Sequence, residues 1–257
     1  MVLLSLAAVS AVFAGVAPAA AWTPGTQLNI AREGARLAPP DLARQILRHQ
    51  KAFEAGVVAP FDDADPNLHM KNPDGSGSLD RVIAAEVDAA IQAIRAPRPF
   101  EEIVRRLGVV SHYVADANNP LAAAAADGEE GRYFVDYLRY AETAEPRFPL
   151  VFYGLRHNLE RRRDVGPLVG AALRRGREVY PKVGLEYRRI GFASGIGRFD
   201  DRSSAFGVAS VSFSHAVTDL VEVLRYIWVA GGGADARTGL AAGNRVLLLP
   251  RHTLRAR

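Results

Sequence analysis

Apolar positions recur along most of this chain at intervals of three and four, the period of a helix with one buried face. Asp41–Phe53 (DLARQILRHQKAF) follows a Pro-Pro pair and sets Leu42, Ile46, Leu47 and Phe53 on one side. It is expected to stop at Gly56. Ser78 or Asp80 can cap a second helix through Val82, Ile83, Val87, Ala90, Ile91 and Ile94, ended by Pro97. Pro99 opens a third, with Glu101 and Glu102 where negative charge suits the helix dipole, running to about Asp116 before Asn118-Asn119-Pro120. Further helices are predicted over 132–143, over 165–189 with a break or kink at Pro181, and over 203–230, ending in three glycines. Strand-like alternation is confined to short pieces such as Arg245–Leu249. The expected fold class is all-α, a single multi-helix bundle without repeats.

Composition narrows the class. The 257 residues are 49% hydrophobic and 23% charged, which excludes a disordered chain, and the lack of cysteine excludes disulfide staples. Residues 1–149 carry 14 basic and 19 acidic side chains, while residues 150–257 carry 18 and 9. The first part therefore has the carboxylates a cation needs, and the second can attract phosphate. Residues 1–21 hold no charge and end in Ala19-Ala20-Ala21, which predicts a signal peptide cut before Trp22, although a basic leading segment is missing. The mature domain would be 22–257, secreted or periplasmic. The alternative is an uncleaved anchor or a buried first helix.

Among six histidines, His112 is the informative one. His112 and Asp116 are four apart in LGVVSHYVADANNPL, so both project from one helix face and can share a metal ion. Gly108, one turn earlier, leaves room for another backbone or a ligand. Upstream, the turn-rich segment Phe61–His69 offers Asp62, Asp63 or Asp65 together with His69. Two nitrogens and two oxygens from these clusters make a plausible zinc set. The plainer alternatives are a His–carboxylate pair without metal and a solvated acidic loop. His215 and Asp219 form another four-residue pair, read as a core histidine or as substitute ligands. His157 and Glu160 beside Arg161-Arg162-Arg163 read as a solvated basic face, His49 and His252 have no assigned role, and Gly195-x-Gly197 is an isolated turn. The arginines of 174–189 lack the interleaved aromatics of a single-strand binder.

The signal cut before Trp, the loop histidine and the run Leu-Gly-x-x-x-His-Tyr-x-x-Asp-x-x-x-Pro-Leu at Leu107–Leu121 resemble the zinc-dependent phospholipase C and single-strand-specific nuclease superfamily over about residues 22–140. That resemblance implies an all-helical fold with up to three zinc ions in a cleft, hydrolysing phosphoesters. It implies Asp62 (or Asp63), His69, His112 and Asp116 as ligands of one ion, with Asp62 or its neighbour as general base. It also implies Trp22, through its freed amine and carbonyl, as ligand of a second ion shared with Asp116.

Three positions depart from the pattern. Gln27 and Ala122 stand where the resemblance expects histidines, and Arg132 stands where a third would pair with Asp136, which the resemblance leaves as the remaining metal ligand there. Arg132 could instead neutralise a substrate phosphoryl oxygen. One zinc site thus survives, one is doubtful and one is dismantled. The resulting expectation is an exported phosphoester hydrolase acting on a phospholipid head group or single-stranded nucleic acid, with contact to a membrane surface and no protein partner. The competing expectation is a non-catalytic relative with one metal or none, acting in binding or envelope organisation.

Overall fold

A computed structural model describes residues 21–234 and 245–251. Most of the expected signal segment and His252 therefore lie outside the described residues. Ten helices follow in order: α1 (Pro24–Leu37), α2 (Pro40–Arg48), α3 (Gln50–Val58), α4 (Leu79–Arg95), α5 (Phe100–Ala117), α6 (Pro120–Ala123), α7 (Phe134–Ala144), α8 (Leu159–Arg162), α9 (Gly166–Arg189) and α10 (Ser204–Ala230). Two three-residue strands, β1 (Leu150–Phe152) and β2 (Leu247–Leu249), pair antiparallel with Val151 opposite Leu248. The all-α reading holds.

Local chemistry sets the boundaries. Thr23 caps α1 by accepting from Thr26 N, with Pro24 in the first turn, and Ser203 caps α10 through Phe206 N. The predicted 41–53 helix is divided in two. His49, at φ −111° and ψ 33°, closes α2 and opens α3, which then continues past Gly56 to Val58. By contrast α9 runs without interruption through Pro181.

The reason α3 passes Gly56 is packing. Gly56 and Gly108 bring the backbones of α3 and α5 together: a Cβ on Gly108 would overlap Phe53 O and lie 2.8 Å from Val57 N and 2.9 Å from Gly56 Cα. The room left by Gly108 is thus filled by backbone.

Helix α10 is the spine of the core, touching α1, α4, α5, α7, α8 and α9. Phe213, Val217, Leu220 and Leu224 are fully buried along it, each contributing roughly 1.5–3 kcal/mol by leaving water. One face carries a ladder of polar residues instead. Ser214 accepts from Val151 N at 3.2 Å and Thr218 from Tyr153 N at 3.1 Å. Glu222 accepts from Arg156 N at 3.1 Å and His157 N at 2.7 Å, and Arg225 pairs with Glu160. These residues recur every three or four positions, so β1, the loop after it and α8 are laid in sequence along one side of α10. No described helix is long and apolar enough to cross a membrane.

Candidate metal centre

The α3–α5 contact fixes the first ligand. His112 lies in α5 with no exposure, and its Nδ1 is 2.8 Å from Val57 O at the end of α3. A carbonyl can only accept, so Nδ1 carries the proton and Nε2 faces inward. One turn on, Asp116 places Oδ2 3.2 Å from that nitrogen. The third group arrives from outside the helix. The segment 59–69 forms two 3-10 turns, Ala59–Asp62 and Pro66–His69, and the second buries His69. His69 Nδ1 is 2.8 Å from Asp116 Oδ2 and 3.3 Å from His112 Nε2. His69, His112 and Asp116 are the one such group among the described residues whose ligand atoms converge closely enough to hold an ion.

The donor set fits zinc. Tetrahedral zinc with ligands at about 2.0–2.1 Å separates its ligand atoms by about 3.4 Å. Two of the three separations found here, 3.3 and 3.2 Å, are already close to that, and the third, 2.8 Å, must open. His112 Nε2 and Asp116 Oδ2 also need positive charge between them, whether a proton or a cation. Gln27, fully buried in α1, donates from Nε2 to Asp116 Oδ1 at 2.7 Å, and its own Oε1 has no partner. By occupying Oδ1, Gln27 leaves Asp116 Oδ2 to face the two imidazole nitrogens.

Around this core lies a second layer. Asp63 Oδ2 is 3.2 Å from His69 Nε2, at ion-pair distance but off the N–H direction, so that nitrogen makes no hydrogen bond. Tyr113 donates to the same Asp63 oxygen at 2.5 Å. Burial opposes charge on His69, but the hydrogen bond and charge of Asp116, with the charge of Asp63, outweigh it and raise the ring's pKa. Burial likewise works against an ionised Asp116, yet attraction to His112 and the hydrogen bonds from both rings hold its pKa below the usual carboxylate value. Burial, then Asp63, pushes the Tyr113 phenol far up, so it stays a donor.

The other expected site residues fall in different places. Asp62 is exposed at the end of its 3-10 turn, and neither it nor Asp63 joins the converging group; Asp63 stands behind His69. Trp22 is buried, with Nε1 donating to Ala115 O at 2.9 Å, which puts it next to Asp116 along α5. Asp136 differs most from the expectation. It accepts from Tyr187 Oη, Ser194 Oγ and Gly195 N, each at 2.7 Å, so its carboxylate serves α9 and the turn after it. Arg132 is exposed, stacked 3.5 Å over the Phe192 ring and paired with Glu129. Ala122 is buried in α6, where its carbonyl accepts from Lys71 N.

His215 and His157 are explained without metal. His215 stacks on Tyr153 at 3.9 Å between centroids, and burial, then Arg175 and Arg156, lowers its pKa to about 3. Asp219 pairs with Arg175 and Asn118 rather than with His215. His157 takes Glu222, not Glu160, as its carboxylate.

Sequence reasoning missed Val57 and Tyr113, and named Gln27 only as a lost zinc ligand, not as the group that holds Asp116. Only Tyr113 had a signal, its place beside His112.

The chain shares its fold with Clostridium perfringens alpha-toxin. A crystal structure of alpha-toxin isolated from avian strain SWCP superposes with a TM-score of 0.56 at 12% identity, covering 87% of this chain and 67% of the toxin chain. At that identity the likeness to alpha-toxin establishes architecture alone. No protein-family model matches the chain, and no curated protein does.

Proposed function

We propose that this chain is an exported, zinc-dependent phosphoester hydrolase of the phospholipase C type, built on one principal metal ion. The observation that carries the reading is the convergence of His69, His112 and Asp116 within a fold shared with alpha-toxin. His69 Nδ1, His112 Nε2 and Asp116 Oδ2 would hold the ion. A zinc ion at such a site supplies Lewis acidity toward a phosphoryl oxygen and acidifies a bound water.

The protein's own groups do the rest. Val57 O keeps the His112 proton on Nδ1, so Nε2 presents its lone pair. Gln27 holds the second Asp116 oxygen and thereby limits that carboxylate to one ion. Asp63 is the member of the cluster that reaches solvent, with 26% of its side chain exposed, and it can accept a proton at Oδ2 or Oδ1 from a water entering there. Tyr113 steadies it. Signal cleavage would free an amine on Trp22, the residue already tied to Ala115, and release Asn119 from the Ala21 carbonyl it now binds. Phospholipid head groups are the favoured substrates, with single-stranded nucleic acid as the alternative.

One observation favours a second reading. His69, His112, Asp116 and Gln27 are each at most 1% exposed. A centre this closed also suits an ion that holds the fold of a non-catalytic binding or envelope-associated protein. Metal analysis of the mature chain combined with chelator-controlled hydrolysis of a phosphatidylcholine analogue and of single-stranded DNA separates the readings. One tightly held zinc with chelator-sensitive turnover supports the hydrolase. One zinc without turnover on either substrate supports the structural ion, and no zinc refutes the hydrolase and the structural ion alike, leaving the non-catalytic relative that has no metal.

A further inference from the structure

The polar ladder on α10 has an outer side. It lays β1, the following loop and α8 in a row whose anchors, Ser214 and Arg225, are about 16 Å apart along the helix. At the strand end the surface is apolar. Val151 and Leu248 are directly opposed in the ladder, so their side chains share one face of the ribbon, and Val246 has the same parity as Leu248. Leu248 is 74% and Val246 55% exposed.

At the other end the surface is cationic. Arg156, Arg161, Arg162 and Arg163 are all exposed, and Arg245 is exposed beside Val246. None of these five side chains makes an ion pair among the described residues. The nearby acids are occupied: Glu222 is buried and accepts from the loop amides, Glu160 pairs with Arg225, and Asp164 accepts from Gly166 N. Isolated exposed leucines are ordinary. A strip with exposed aliphatic side chains at one end and arginines without an ion pair among the described residues at the other has a chemical preference.

We propose that this strip, the outer face of the β1–β2 ribbon together with the arginines of the 156–163 segment, docks on an anionic lipid surface. Arginines contact lipid phosphates and serine carboxylates while Val246 and Leu248 enter the acyl boundary. Single-stranded nucleic acid fits less well, because it needs open aromatic faces, and Tyr153, the ring at this place, is already stacked on His215. The proposal is independent of hydrolysis at the buried centre.

Flotation of the purified mature chain, residues 22–257, with lipid vesicles, in excess chelator so that no turnover occurs, tests it. Vesicles of phosphatidylcholine with about one third phosphatidylserine should bind the chain at least tenfold better than pure phosphatidylcholine, and binding should weaken as salt rises. The combined Arg161→Gln, Arg162→Gln, Arg163→Gln variant should bind anionic vesicles at least tenfold more weakly, with an unchanged circular dichroism spectrum. Leu248→Gln should weaken binding at high salt, where the apolar contribution dominates. Equal binding to both vesicle types, no binding to either, an unaffected triple variant, or displacement from vesicles by equimolar oligonucleotide would each overturn the proposal.

Discussion

Asp116→Ala is the most informative single change, because three buried groups depend on that side chain. His69 Nδ1 at 2.8 Å, His112 Nε2 at 3.2 Å and Gln27 Nε2 at 2.7 Å all lose their carboxylate partner; the two imidazole nitrogens keep only each other at 3.3 Å, Gln27 Nε2 keeps only His112 O at 3.5 Å, and none has solvent to replace the loss. A buried polar group left unpaired costs about 1–3 kcal/mol, and breaking a buried charge pair from one side about 3–5 kcal/mol. These figures describe overlapping losses, so we expect about 4 kcal/mol in the metal-free protein. That is a large part of the 5–15 kcal/mol typical of a folded domain, and at this chain length it corresponds to a fall in Tm of roughly 8–16 °C. Asp136→Ala is the control. It also removes three hydrogen bonds, but from a half-buried carboxylate that water can replace, and should cost about 1–2 kcal/mol. Urea unfolding of chelator-treated samples, followed by circular dichroism at constant m-value, measures both. Zinc at about one hundred times its Kd should stabilise the wild type by about 2.7 kcal/mol and leave Asp116→Ala unmoved. The reasoning fails if Asp116→Ala costs no more than Asp136→Ala, or if zinc stabilises it as much as the wild type.

Three further expectations follow from the same geometry. Tyr113→Phe removes the donor that holds Asp63 behind His69 and should weaken zinc binding about tenfold with little loss of stability; unchanged affinity in a competition titration with a chromogenic chelator would show that Tyr113 plays no supporting part. Gly108→Ala forces α3 away from α5 and with it Val57 O, the carbonyl that orients His112, so it should cost about 2–3 kcal/mol and reduce zinc affinity together; full affinity in a destabilised variant would separate the two. In the metal-free protein the raised His69 pKa adds stability that is complete below the ordinary imidazole value and lost as pH rises through the raised one. The lowered Asp116 pKa adds stability that is complete above the ordinary carboxylate value and lost as pH falls through the depressed one. Stability should therefore be greatest between about pH 4 and pH 6.5, and zinc, which must displace the His69 proton, should bind more tightly as pH rises. Thermal melts across pH should lose their alkaline decline in His69→Phe; a decline that persists there would assign it to another group.

Helical periodicity made α5 legible together with its His112–Asp116 pair, because both ligands obey a rule local to one helix. Gly108 was readable for the same reason, as a gap on the ligand face, although only the structure shows that α3 fills it. The loop residue that faces His69 was not readable. In a 3-10 turn neighbouring aspartates point in unrelated directions, so Asp62 ends in solvent while Asp63 meets His69. Val57 reaches the centre from 55 positions away through packing no short motif encodes, and Gln27, 89 positions from Asp116, was legible only as a departure from the family pattern. Asp136 shows the converse. Its place on a helix matched the expected spacing, but Tyr187 and the 194–195 turn use its carboxylate as a structural acceptor. The strand β1 gave no signal because three residues carry no usable alternation, and its outer edge is completed by helix hydroxyls rather than by another strand.

The closed setting of the two histidines also governs how fast an ion can leave. A competing chelator cannot touch an atom at a position with zero exposure, so it must wait until the turns around residues 59–69 lift away from α5. Release then runs on the protein's own opening clock. Once chelator is in excess, adding more changes nothing, and residence time follows whatever loosens that segment. Two chains with equal affinity for the ion could thus differ widely in how long they keep it.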